Sequence, residues 1–110
     1  MAWKGNRYGD GAGASTLSDL GTVTGITGPQ HFRQVILRAD PSNSGIIYWG
    51  GTSGTLTAAG AYAWGYLAAG EARTVLADFD GDLSKVAIIG SDTNQKAYVE
   101  VVTGPKAKDR

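Results

Sequence analysis

The sequence predicts an all-β fold, an antiparallel β-sandwich of jelly-roll-like or Ig-like type with a glycine-rich N-terminal arm. Three observations predict it. Two β-branched apolar runs, 86–89 and 97–102, flank a polar, turn-forming segment at 90–96, the pattern of an antiparallel hairpin. The 17 glycines are spread among Thr, Val, Ile and aromatic residues, which suits short strands joined by tight turns. No stretch of ten residues carries an amphipathic helical stripe.

A chain of 110 residues can bury one core without staples but not two, so one domain is expected: an arm over 1–19, a sandwich over 20–103 and a basic tail over 104–110. The absence of cysteine removes disulfide frameworks, thiolate metal sites and cysteine nucleophiles. Ten basic residues balance ten acidic ones, so no global field draws nucleic acid or an anionic membrane, and neither is expected as a partner. No apolar run approaches the roughly 20 residues that span a bilayer. Lys4 and Arg7 lie in glycine-rich sequence where a signal peptide needs an apolar core, so the mature chain is expected to be the written one.

The arm offers little to a core, and its glycines lose much backbone entropy when fixed. Trp3 and Tyr8 gain most by docking in a groove, on their own domain or on a neighbouring subunit, and are candidate partner-binding residues; the alternative is a disordered tail in which the two aromatics are incidental. Gly9-Asp-Gly-Ala-Gly13 lacks the Gly-Lys-Ser/Thr ending of a phosphate loop and follows no predicted strand, so no nucleotide is expected there. The Thr/Val-rich run 20–26 reads as a first strand at a sheet edge. Residues 32–39 read as a central strand, with Arg33, Val35, Leu37 and Ala39 on one face and Phe32, Gln34, Ile36 and Arg38 on the other. A turn at 40–45, a strand at 45–51 and a polar connection at 52–60, with a short strand at 55–57, follow.

Tyr62-Ala-Trp-Gly-Tyr66 is the most distinctive pattern. Extended, it places Tyr62, Trp64 and Tyr66 on one face as an aromatic ladder. The ladder is expected to lie in the core or a subunit interface; the alternative is an exposed platform that stacks on sugars. A tight turn at 67–71 leads into a strand at 72–79 whose inward face stays open, because Val75 and Phe79 compete with Leu76.

Reactive groups are sparse. Asp78-Phe-Asp-Gly-Asp82 supplies hard oxygen ligands, but the glycine and glutamate positions of a calcium loop fall on Leu83 and Ile89, so a solvated turn is expected and no metal. His31 is the sole histidine; no Gly-x-Ser-x-Gly elbow accompanies it, and structural placement beside Pro29 is expected. No catalytic residue and no cofactor are assigned.

Leu67-Ala-Ala-Gly-Glu71, the strand after it, Asp82-Leu-Ser-Lys-Val-Ala-Ile-Ile-Gly-Ser91 and Lys96-Ala-Tyr-Val-Glu-Val101 resemble small β-sandwich proteins of tailed-bacteriophage virions. In those, a strand of the form Gly45-Ile-Ile-Tyr-Trp-Gly-Gly51 precedes the Leu-x-x-Gly-Glu turn. The resemblance spans about residues 32–102, marks an architecture, and transfers no binding residue. It implies a non-enzymatic head decoration or cement protein, made in the host cytoplasm, that binds the major capsid protein on the capsid surface as a homo-oligomer, with trimers suited to three-fold positions. Two alternatives compete: a tail or fibre module that binds glycans through the ladder, and a cell-wall hydrolase with two carboxylates about 5 to 9.5 Å apart.

Overall fold

The computed structural model describes residues 2–9, 16–52 and 56–104, and of residues 2–6 the backbone alone. Eight strands form two four-stranded antiparallel sheets: β1 (Ala2–Gly9), β2 (Ser18–Asp19), β3 (Gln30–Ala39), β4 (Ile47–Gly51), β5 (Ala63–Leu67), β6 (Ala72–Gly81), β7 (Val86–Gly90) and β8 (Lys96–Thr103). One sheet has the order β1-β8-β3-β6, the other β2-β7-β4-β5. The pairs β1·β8, β2·β7, β3·β6 and β4·β5 are those of one long hairpin, and rolling it up adds β8·β3 and β7·β4. That is jelly-roll connectivity. The all-β sandwich expected from the sequence is what the chain forms.

The core between the sheets is built from alternate residues of the inner strands. Val35, Leu37, Ile47, Ile88, Val99 and Val101 are all fully buried in it. A smaller cluster of Leu56, Ala87 and Ile89 covers the other face of β7, so that every residue of β7 is buried.

The N-terminal segment belongs to this sandwich. β1 pairs with β8 over its whole length, from Ala2↔Thr103 to Gly9↔Lys96. Backbone pairing needs no apolar side chains, and β8 would otherwise be a free edge. Of the two surfaces able to order the arm, its own domain supplies one. Residues 10–15 lie outside the described residues, as does the tail beyond Gly104.

Four expectations are corrected. The run 20–26 is not a strand: Leu20–Thr24 forms a short helix, α1, because Asp19 caps it by accepting from the Thr22 amide at 2.9 Å and Gly25 ends it with φ 76°. Thr24, buried, donates its hydroxyl back to the Leu20 carbonyl, so its polarity is satisfied within α1. β7 and β8 do not pair as a hairpin. They enter opposite sheets, since β7 is buried on both faces and takes β2 and β4 as neighbours.

The connection between them is tied to the turn after β3. Buried Gln95 accepts from the Gly45 amide and donates to Ser44 Oγ and the Thr93 carbonyl, while Asn43 exchanges two bonds with the Lys96 backbone. The third correction concerns β3, where a register shift between Phe32 and Gln34 moves Phe32 onto the buried face with Val35 and Leu37. Finally, the segment 78–82 is strand as far as Gly81 rather than a turn, and Asp82 then caps a 3-10 turn over Leu83–Lys85. The open choice on β6 resolves through a shift opposite Val35 and Ile36, which lets Val75, Leu76 and Phe79 all pack on the core.

Candidate functional site

The predicted partner-binding residues separate into a buried one and an exposed group. Tyr8 is 3 % exposed. Its hydroxyl donates to the Thr16 carbonyl at 2.6 Å and accepts from the Gly90 amide at 3.3 Å, tying β1 to the end of β7. Tyr8 is therefore a core anchor of its own domain and not a surface offered to another molecule, which corrects its assignment. Trp3 lies in β1 opposite Val102, and its side chain falls outside the described residues. The glycine motif at 9–13 falls largely there too.

The other three aromatics crowd the free edge of the second sheet. Tyr62, Trp64 and Tyr66 are 71 %, 59 % and 56 % exposed. They are not core, and they do not form one ladder. Tyr62 precedes β5 with a left-handed φ of 62°. Within the β4·β5 ribbon Trp49 opposes Gly65 but Gly50 opposes Ala63, so Trp64 is an extra residue that breaks the period of two.

The rings consequently find different partners. Trp64 meets Trp49 edge to face, with centroids 5.9 Å apart, and Tyr66 meets Tyr48 at 6.5 Å. Glycines make room for this arrangement. A Cβ on Gly51 would stand 2.7 Å from the Trp64 ring, and one on Gly65 would stand 2.9 Å from Trp49 Nε1. Sequence reasoning missed Tyr48 and Trp49 as the floor of this rim; the adjacency of aromatics and glycines in 48–51 and 64–66 was the available signal, since rings cover bare glycine backbone across strand pairs.

A cavity of about 340 Å³ lies beside α1, lined by Asp19, Gly21, Thr22, Ile26, Asp82 and Ser84 among others. Both carboxylates are engaged in capping: Asp19 accepts from the Thr22 amide and hydroxyl, and Asp82 from the Ser84 amide. The bond from the Ser84 backbone holds the Asp82 carboxyl below its ordinary value. A glycosidase acid needs the opposite shift. His31 is not part of this cavity's lining; it lies on β3 across from Asp80.

Among the described residues no group of three or more metal-ligating side chains is drawn together in a metal-binding arrangement. No helix is long and apolar enough to cross a membrane. What the fold and the site define is a jelly-roll sandwich with an aromatic rim on a free sheet edge. No protein-family model matches the chain, and comparison with curated proteins and with solved structures finds no significant match.

Proposed function

We propose that this chain is a structural virion protein of a tailed bacteriophage, which decorates and reinforces the head by binding the major capsid protein. The observation that carries the proposal is the rim of Tyr62, Trp64 and Tyr66, each more than half exposed on or just before the edge strand β5. Tyrosine and tryptophan are enriched where protein partners dock, because they bury a large area with few rotatable bonds. The jelly roll is an architecture of viral capsid proteins among others, and the resemblance over residues 32–102 points the same way. Docking of the rim at junctions between capsid subunits would oppose outward strain, and many copies would act together. Assembly as a homo-oligomer, a trimer at three-fold positions, completes the proposal, with no enzymatic activity and no cofactor.

The test is to add the purified chain to heads assembled without it. Co-sedimentation, with a rise in the temperature at which the heads rupture, is the expected result; heads that neither bind the chain nor change in stability would refute it. A second reading, a tail or fibre module that binds glycans, draws on the exposure of Trp64. It predicts quenching or a blue shift of tryptophan emission by host-surface sugars, which the capsid proposal does not.

A further inference from the structure

The cross-strand register of β3 and β6 brings the sole histidine against two carboxylates 47 and 49 residues away in sequence. His31 Nδ1 bonds Asp80 Oδ1 at 2.5 Å. His31 Nε2 stands 2.8 Å from Asp78 Oδ1, yet it is buried and has no hydrogen-bond partner, so the contact has the distance of a bond without its direction. The imidazole is only 10 % exposed, whereas the Asp78 and Asp80 side chains are 58 % and 63 % exposed.

Asp78 is also held in a left-handed conformation, φ 50°, that a residue other than glycine adopts at a cost. Among the described residues it forms no ion pair with a lysine or arginine. Beneath the trio, Phe32 stacks on Phe79 with centroids 6.2 Å apart, fixing the two strands that carry it.

The geometry points to a binding site for a divalent late first-row transition cation, ligated by His31 Nε2 and an Asp78 carboxylate oxygen, with Asp80 holding the imidazole through Nδ1. Two ligands each about 2.1 Å from one ion and 2.8 Å from each other subtend about 84° at it, close to the right angle of tetragonal or octahedral coordination. That explains why Nε2 and the carboxylate approach without sharing a hydrogen on a straight line. A ligating histidine whose other ring nitrogen donates to a carboxylate is the recurrent arrangement at such ions, since the carboxylate fixes the tautomer and raises ligand basicity. Imidazole with carboxylate suits Ni²⁺ or Zn²⁺ far better than Mg²⁺ or Ca²⁺, and the exposed side leaves the remaining positions to water. The site lies on the sheet that does not carry the aromatic rim, and it stands or falls independently of capsid binding.

Because His31 is the only imidazole in the chain, its ring resonances report this site alone. In tag-free protein, substoichiometric Ni²⁺ is expected to broaden the His31 ring signals and those of backbone amides near 78–80, and Mg²⁺ at the same concentration to leave them unchanged. In calorimetric titration Asp80→Asn should weaken Ni²⁺ or Zn²⁺ binding by about 10- to 100-fold, and Asp78→Asn should weaken it further still. His31 signals indifferent to one equivalent of either ion would overturn the site, as would a binding isotherm that Asp78→Asn does not alter.

Discussion

Trp49 and Trp64 meet edge to face, their rings inclined by 82°, while the preceding residue of β4, Tyr48, meets Tyr66. Adjacent residues of a strand project to opposite faces, so the two contacts wrap the β4·β5 ribbon from both sides. One residue out of register at Trp64 turns a flat ladder into a rim with rings facing two directions. A planar sugar platform would need the reverse, whereas a partner that straddles the sheet edge meets both sets of rings.

Stability and docking should therefore separate at this pair. Trp49 packs on the core, and Trp49→Ala is expected to lower unfolding free energy by about 3 kcal/mol in denaturant titration. Trp64 is mostly solvated, so Trp64→Ala should cost only about 1 kcal/mol, its share of an aromatic pair, while removing much of the head-binding affinity.

Gly50 tests how closely β5 lies against β4. A Cβ there would stand 2.8 Å from the Tyr62 carbonyl, a backbone atom with little freedom to retreat. Gly50→Ala is expected to destabilise by about 1–3 kcal/mol and to increase amide exchange at Ala63. An alanine tolerated without loss in thermal unfolding would contradict the tight ribbon.

The hydroxyl of Tyr8 joins the N-terminal strand to the rest of the sandwich. Tyr8→Phe keeps the ring and removes the hydroxyl's bonds to the Thr16 carbonyl and the Gly90 amide, for an expected loss of about 1–2 kcal/mol. Deleting residues 1–9 uncovers the edge of β8, and light scattering should then show particles larger than those the full chain forms.

Acid should report on Asp40. Bonds from the Ser42 hydroxyl and amide and from the Tyr98 hydroxyl lower its carboxyl from the ordinary 3.8 to about 2. A depressed folded value means that the contribution is complete above about 3.8 and is lost as pH falls through about 2. Carboxyl NMR should find the midpoint near 2 in the folded chain, and Asp40→Asn should flatten the acid limb of stability between those values. The same bond pushes the Tyr98 phenol up.

Strand positions were legible in the residues because alternation and β-branching are local: β3, β4 and β6 fall close to where the pattern puts them. Partners were not. The 90–96 segment reads as a hairpin loop, yet which sheet receives β8 depends on both faces of β7 being covered and on Gln95 bonding the turn after β3. The helix at Leu20–Thr24 was hidden by the strand propensity of Thr-Val-Thr, although its caps, Asp19 and Gly25, stood in plain sequence. The aromatic residues of 62–66 were legible as a group, but their exposure and directions were set by one bulge at the sheet edge. The His31 trio depends on the β3·β6 register, which no spacing in the chain announces.

Hydrogen–deuterium exchange on the chain bound to heads that lack it tests the assembly proposal most directly. Backbone amides of 62–67 should gain protection on binding, with amides near the cavity at α1 unchanged, because the proposal seats the capsid against the rim at β5. Saturated binding that leaves 62–67 exchanging as in the free chain, or no binding at all, would contradict it.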